Sequence, residues 1–223
     1  MTPAPISRRA RPAKDPLSRE VIVATGLRIL DRDGLDALTM RRVAQELDTG
    51  PASLYVYVRN REDLMAAMLD QALGRVRFPA EGSWRERLRE LAAGAVAAVS
   101  RHEGLALAAL GHIPTGENAL LIIDRMLALL KDGGLDDATA AWAVDLIHLH
   151  IIATAAEQSA YNAKGANEGE YVQAADRRLS ALPAERYPMV TSLRGALLSG
   201  GDRDTWGLDV LINGILNTPA EPA

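Results

Sequence analysis

"GLDALTMRRVAQELDTGPASLYVYVRNREDL", residues 34–64, is the stretch that decides how this chain folds. Met40, Val43 and Leu47 recur within it at the spacing of one helical face. The tripeptide DTG at 48–50 interrupts that pattern, and the proline that follows is well placed to begin another helix. Helix, tight turn and short helix make the helix-turn-helix arrangement, whose second helix enters the major groove of DNA. An ordinary helical corner inside a bundle would produce the same periodicity.

Helices are predicted on both sides of this stretch, so the predicted fold class is all-α. Ser18 is suited to cap a first helix, which Gly34 ends, and Thr39 is suited to cap a second. The third helix is predicted from Pro51 to about Val58, and Asn60 is suited to cap a fourth. No run alternates with the period of two that strands require. Further along the chain, helices are predicted over Trp84–Arg101, Leu105–Gly111, Glu117–Lys131, Asp137–Asn162, Glu170–Leu182, Met189–Leu198 and Asp204–Leu216.

The chain divides into three parts by composition and charge. Residues 1–17 are rich in Pro, Ala and Arg and are predicted to form a flexible basic arm. Residues 18–63 form the predicted helix-turn-helix domain, and the fourth helix joins it to a helical bundle over residues 64–218. Residues 1–61 hold eleven Lys and Arg against seven Asp and Glu, whereas residues 62–223 hold fourteen against twenty-two. A basic part followed by an acidic part suits a nucleic-acid-binding domain on a body that avoids phosphate, although chance variation gives the same pattern.

Several classes of protein and site are disfavoured. There is no cysteine, which excludes disulfides and zinc sites of the cysteine type. Neither a His-Glu-x-x-His helix nor a Gly-x-Ser-x-Gly elbow occurs, so no catalytic residue, metal or cofactor is predicted. The basic N-terminus has no apolar run behind it, unlike a secretory signal. The most apolar segment carries Asp145, His148 and His150, which disfavours a membrane span, so the protein is expected to be cytoplasmic.

The motifs "GLDALTMRRVA", "SLYVYV" and "RNREDL" resemble the DNA-binding domain of the tetracycline-repressor (TetR) family of bacterial regulators, over about residues 17–70. The turn departs from the family pattern, because Asp48-Thr49 stands where Gly-Val is usual. Asp48 tolerates a left-handed conformation better than most residues, so the turn should survive. The resemblance implies a homodimeric repressor that a small molecule releases from a palindromic operator. A DNA-binding regulator without a small ligand, controlled by a partner or acting as an activator, is the alternative.

The resemblance also implies a set of DNA contacts. Arg41 matches a base-contacting arginine of the family, for which bidentate contact with guanine is the expected chemistry. Tyr55 has a second possible role, as a partly buried aromatic residue that braces helix 3 on helix 1. The groove-facing positions are Pro51, Ala52, Ser53, Tyr55 and Tyr57, and the positions implied to contact the DNA backbone are Thr39, Met40, Asn60 and Arg61.

Two surfaces are predicted in the body, which the family uses for dimerisation and ligand binding. The last helix carries an apolar stripe at i, i+3, i+4 and i+7 that resembles a dimer interface, with packing inside the chain as the alternative. The family's drug-contacting histidine falls on Arg77 or Phe78 and its metal-binding histidine on Ala109, so a mostly apolar pocket is predicted. The interface residues are Leu208, Leu211, Ile212 and Ile215, and the pocket candidates are Arg77, Trp84, Leu88, His112, Trp142, Asp145, His148 and Ile152.

Two rivals to the ligand-responsive repressor remain at this point. A small all-α enzyme could use Asp145, His148 and His112, although the nucleophile and metal motifs of known enzyme classes are missing. A regulator controlled by a partner protein would have a closed core without a pocket.

Overall fold

Helices make up all the regular secondary structure in the residues that the computed structural model describes, which are 16–102, 104–110, 114–163, 168–199 and 203–220. The all-α fold class is therefore confirmed. The helices are α1 (Arg19–Asp33), α2 (Met40–Glu46), α3 (Pro51–Leu54), α4 (Arg61–Leu73), α5 (Trp84–Val99), α6 (Leu105–Ala109), α7 (Glu117–Asp132), α8 (Asp137–Ala163), α9 (Glu168–Ser180), α10 (Pro188–Ser192), α11 (Arg194–Leu197) and α12 (Arg203–Asn217).

The first three helices pack together through apolar side chains, and we call them the head. The side chains of Ser18, Thr39 and Asn60 each accept a hydrogen bond from the backbone N–H three residues on, so all three predicted helix caps are confirmed. Such caps satisfy backbone donors that the first turn of a helix leaves without a partner. The core side chains that α1, α2, α3 and the segments after them supply include Ile22, Leu30, Leu38, Val43, Leu54 and Val58.

Helix α4 connects the head to the helices that follow it, which we call the body, as one continuous element. Its Leu64 and Met68 are completely buried, and α4 packs on α1. Gly26 of α1 makes this approach possible, since a Cβ there would lie 2.8 Å from the sulfur of Met68. A second contact joins the two parts, because His102 Nδ1 lies 2.7 Å from Asp31 Oδ1 of α1. A displacement of α4 relative to the body would therefore move the head.

The long helix α8 forms the centre of the body, with α5, α6, α7 and α12 packed against it. Ile147, Ile151 and Ala155 are buried on its inner side. Its segment Asp137–Asn162 is long and apolar enough to cross a membrane, judged by length and composition alone. Half of its most apolar 18-residue stretch is buried inside the protein. The core helices of many globular proteins have the same character, so the feature fits the central packing of α8.

Two predicted helices differ from the structure. The prediction that the third helix reaches Val58 is wrong, because α3 ends at Leu54 and residues 55–57 form a turn. The carbonyl of Leu54 accepts hydrogen bonds from the N–H groups of both Tyr57 and Val58. These bonds form a turn that ends the helix after one helical turn. The helix predicted over Met189–Leu198 is interrupted at Leu193 and becomes α10 and α11.

Candidate DNA interface and effector cavity

The turn between α2 and α3 holds Asp48 in the left-handed region. Its φ is 49°, and it is the only non-glycine residue with positive φ among the described residues. The N–H of Thr49 donates to the carbonyl of Ala44 at 2.9 Å, which closes the end of α2. The expectation that Asp48 would tolerate this conformation is confirmed. The replacement of the family's usual glycine therefore leaves the helix-turn-helix geometry intact.

Helix α3 and the turn after it expose one side and are held to the head by two apolar residues. Leu54 and Val58 are buried, while the predicted groove-facing residues are all exposed. Tyr55 is 53% exposed, so most of its ring is free for a contact outside the chain. Val56, which is not among the residues predicted from sequence, is the most exposed apolar side chain of this turn. The predicted groove-facing residues that share this surface are Pro51, Ala52, Ser53, Tyr55 and Tyr57.

Arg41, predicted to contact a base, and the residues predicted to contact the DNA backbone differ in their availability. Arg41 is exposed and makes no hydrogen bond or ion pair with the described residues, so its guanidinium can reach outward. Thr39 and Asn60 use their side chains as helix caps, and Met40 is half-buried. Arg61 donates hydrogen bonds to the carbonyls of Leu38 and Leu35 at 2.8 and 3.1 Å, which ties it to the head itself.

Arg59 is a further candidate on the same surface. Its side chain is 87% exposed and lies 3.5 Å from Asp63. The only sequence signal for it was its place directly after "SLYVYV". Burial raises the pKa of Asp63, but hydrogen bonds from the Arg59 N–H and from Arg19 outweigh it, and the pKa of this carboxyl lies below its ordinary value. Asp63 therefore stays ionised, and the hydrogen bond that it accepts from Arg19 holds α1 to the start of α4. Arg19 also donates a hydrogen bond to the carbonyl of Tyr57.

The body contains a small apolar cavity between α4, α5, α7 and α8. Its volume is about 30 Å³, close to the share of liquid volume that one water molecule takes. His148 is the only titratable residue among the described residues that line it. Burial lowers the pKa of His148, and the nearby Asp145 opposes this shift. The imidazole is therefore neutral near pH 7. The residues that line the cavity are Leu73, Ala95, Val99, Pro114, Ala119, Ile122, Ile123, Met126, Val144, His148, Ile151 and Ile152.

A second cavity, of about 240 Å³, lies beside the first between α4, α6 and the start of α7. Met65 and Leu69 of α4 form one wall, and Leu105 of α6 lies on another. Pro114 and Ala119 line both cavities, so only a thin wall separates them. Together the two spaces could form one larger pocket if that wall moved.

Of the predicted pocket residues, only His148 and Ile152 line the apolar cavity. Leu88 is fully buried, and Trp84 packs against Gly133, where a Cβ would lie 2.8 Å from its ring. The other three described candidates are exposed, because Trp142 and Asp145 lie on the outer side of α8 and Arg77 lies after the end of α4. The exposed candidates are Arg77, Trp142 and Asp145, and His112 lies outside the described residues.

The stripe predicted as a dimer interface packs partly inside the chain, but Leu211 and Ile215 also border the depression on the outer sides of α8 and α12. Leu208, Ile212 and Ile215 are buried, and Leu211 is half-buried, since α12 lies on α8. This was the alternative that the periodicity left open. An amphipathic helix on a core buries its apolar stripe there, so a contact with a second chain would use the edge of the stripe and the neighbouring outer side of α12.

An exposed apolar surface does run along the outer sides of α8 and α12, and we call it the α8–α12 face. Trp142 is 64% exposed, and a shallow depression of about 670 Å³ lies beside it. Contiguous exposed apolar surface of this kind typically marks a site of contact with another molecule. The large exposed apolar side chains of this face are Trp142, Leu146, Leu149, Trp206 and Val210.

No cluster of three or more histidine and carboxylate side chains that could hold a metal occurs among the described residues. The titratable groups of α8 therefore do not assemble into a metal site within that part of the chain.

Known proteins resemble this chain along most of its length. The family model "Bacterial regulatory proteins, tetR family" matches residues 22–68, and "Tetracyclin repressor-like, C-terminal domain" matches residues 78–218. The HTH-type transcriptional repressor DrrR1 of Streptomyces coeruleorubidus is 31% identical over 91% of this chain and 75% of its own length. Apo ActR from Streptomyces coelicolor is 38% identical with a TM-score of 0.78, over 91% of this chain and 98% of ActR. ActR in complex with actinorhodin is 37% identical with a TM-score of 0.80, over 94% of this chain and all of that one.

Proposed function

The chain belongs to the tetracycline-repressor (TetR) family, and we propose that it is a homodimeric repressor that a small molecule releases from a palindromic operator. Its relatives are transcriptional repressors rather than enzymes, so the enzyme alternative built on Asp145, His148 and His112 is set aside. Residues 18–63 serve as the DNA-binding head and residues 64–218 as the ligand-binding and dimerisation body. The protein acts in the cytoplasm, where its operator lies.

One observation carries this proposal, namely that α3 and the turn after it expose Ser53, Tyr55 and Tyr57 above two buried apolar anchors. Helix α3 enters the major groove, where Ser53 and the tyrosine hydroxyls reach phosphates or base edges. Pro51 and Ala52 offer only apolar contact, for which thymine methyl groups are suitable partners. Arg41 extends from the start of α2 to a guanine, and Arg59 adds positive charge beside the DNA backbone.

The α8–α12 face supports the homodimer. A two-fold axis places the same surface of two copies together, so a self-complementary apolar surface is what such an interface requires. Trp142 and Trp206 are suited to be its anchors, since aromatic residues are enriched in the buried centres of interfaces. Two heads fixed by this interface then read two half-sites about one helical turn apart or somewhat more.

The size of the apolar cavity indicates how an effector would act. Pockets that hold small molecules typically have volumes of about 300–1,000 Å³, well above the 30 Å³ of this cavity. An effector therefore binds a wider state of the body, and it stabilises that state at the expense of the present one. By linkage, an effector that weakens operator binding is itself bound more weakly when operator is present. ActR holds actinorhodin in a related structure, which supports a small-molecule effector for this chain and makes actinorhodin a reasonable first compound to test.

The experiment that tests the proposal is binding of the pure protein to the DNA upstream of its own gene, at two salt concentrations. We expect sequence-selective retardation that weakens with salt, and Arg41→Ala and Tyr55→Ala should each reduce this selective retardation. Arg178→Ala, which removes an exposed charge from α9, is the matched control and should bind like the wild type. Binding that does not distinguish this fragment from random DNA, at either salt, would contradict the proposal for this operator.

A further inference from the structure

Helix α7 begins without a side-chain cap of its own. Its N-cap residue is Gly116, which has no side chain to accept a hydrogen bond from the first turn. Asp70, a half-buried residue of α4, supplies the missing acceptor from outside the helix. Its Oδ1 accepts a hydrogen bond from the N–H of Ala119 at 2.9 Å, and its Oδ2 accepts one from Asn118 Nδ2 at 3.1 Å. Asn118 Nδ2 also donates to the backbone carbonyl of Asp70 at 3.1 Å.

Gly116 is required for this contact by space and not by backbone conformation. Its φ of −72° is open to any residue. A Cβ at this position, however, would lie 2.2 Å from Cγ of Asp70, a distance that the two atoms cannot share. Any other residue at 116 must therefore displace the carboxylate from the start of α7.

The start of α7 lies between this contact and the predicted effector site. Ala119, which donates its backbone N–H to Asp70, lines the apolar cavity on one side and the larger cavity on the other. Pro114 has the same double position, and Asp70 itself lines the larger cavity together with Met65 and Leu69 of α4. A molecule that widens the apolar cavity pushes directly on the residue that Asp70 holds.

We propose that Asp70 is the positioning residue that couples occupancy of the apolar cavity to the head. The inference rests on the proposed function, which supplies the effector and the operator. With the contact intact, displacement of α7 at Ala119 carries α4 with it, and α4 carries the head. Without it, the link from the start of α7 to α4 is lost, and only the direct contact of Leu73 with the cavity remains, so the head moves less.

An overpacked cavity serves as the probe, because it needs no identified effector. Ala95 is buried and lines the cavity from α5, and leucine at this position adds three carbon atoms to a closely packed wall, which we expect to push the walls apart. We expect Ala95→Leu to weaken operator binding about tenfold in the wild-type background. In the Asp70→Ala background the same substitution should change operator binding by less than about threefold, as a double-mutant cycle would record.

Three further variants keep the test decisive. Gly116→Ala breaks the contact from the other side and should behave like Asp70→Ala. Asp70→Asn retains the shape and one acceptor oxygen but loses the charge, so it should give an intermediate result. Ala95→Val replaces Ala95→Leu if the leucine variant does not fold, as judged by circular dichroism and melting temperature. Equal losses from Ala95→Leu in both backgrounds would overturn the proposal, and so would no loss in the wild-type background.

A readout without DNA separates this proposal from the function on which it rests. Hydrogen exchange of α4, residues 61–73, reports whether a push at the cavity reaches that helix. We expect Ala95→Leu to increase exchange there in the wild-type background and not in Asp70→Ala. Wild-type protein that ignores operator DNA but shows this exchange pattern would contradict the proposed function alone. Exchange that responds equally in both backgrounds would contradict the coupling role alone.

Discussion

Replacing Leu146 by glutamate should separate the proposed dimer into monomers. Leu146 lies on the α8–α12 face and is 45% exposed in the single chain, so the remaining surface is available to a partner. Leu121 of α7 is exposed to the same extent but lies outside this face, which makes Leu121→Glu a matched control. Both substitutions replace an equally exposed leucine by glutamate, and they differ only in the position of that leucine.

The size of the effect follows from burial counted on both copies. Full burial of a leucine side chain contributes about 1.5–3 kcal/mol, so covering the exposed part of Leu146 contributes about 1 kcal/mol per subunit. A carboxylate left at the interface without a partner costs about 1–3 kcal/mol in each subunit. Two-fold symmetry doubles both amounts, which gives about 4–8 kcal/mol and a dissociation constant raised about a thousandfold or more.

Light scattering behind size exclusion at micromolar concentration measures the outcome. The chain has a mass of 23.9 kDa, so we expect twice this mass for the wild type and for Leu121→Glu. Leu146→Glu should elute at the monomer mass with an unchanged circular dichroism spectrum, and its operator binding should be weakened. A wild-type monomer, or a Leu146→Glu protein that remains a dimer, would refute the assignment of this face.

Three other predictions concern the head and the cavity. If Arg41 contacts a phosphate, Arg41→Ala should reduce the salt slope of operator binding by about 1. If Arg41 contacts guanine, the variant should distinguish that base pair from others less well, by about 1–3 kcal/mol. Binding and selectivity equal to those of Arg178→Ala would show that Arg41 does not contact the operator. Asp48→Val should lower the free energy of unfolding by about 1–2 kcal/mol, because a β-branched residue is strained at positive φ, whereas Asp48→Gly should not; equal melting temperatures for the two variants would contradict this reason. Burial lowers the pKa of His148 in the folded protein, so the unfolded chain binds a proton at His148 more readily. The free energy of unfolding should therefore decrease as the pH falls below 6.5, the ordinary pKa of histidine. His148→Leu should flatten that part of the stability curve in chemical denaturation, and an unchanged slope would show that His148 does not contribute to it.

The head was the part most accessible to prediction from sequence, because its signals are local. The caps at Ser18, Thr39 and Asn60 depend on residues three positions apart, and each is in place. The left-handed Asp48 follows from a preference of that residue type. Only the end of α3 was misjudged, since the turn after Leu54 depends on which carbonyl the next N–H groups choose.

The body was less accessible, because its helices are apolar on more than one side. The stripe of Leu208 and Ile212 has the same periodicity whether it meets α8 of its own chain or a second copy, and only the packing of α12 decides between them. For the same reason, no local signal in α8 shows that Trp142 faces outward while Ile152 lines the cavity. The contact between Asp70 and Ala119 joins residues 49 positions apart, which no periodicity reveals.

The shallow anchoring of α3 has a consequence for how such proteins diversify. Leu54 and Val58 bear the folding constraint, while Pro51, Ala52 and Ser53 contribute almost nothing to the core. Surface substitutions away from such anchors usually change stability by less than about 0.5 kcal/mol. A duplicated copy of this gene could therefore acquire a new target sequence through a few mutations without first losing its fold. Its response to a chemical signal would evolve separately, through changes in the body.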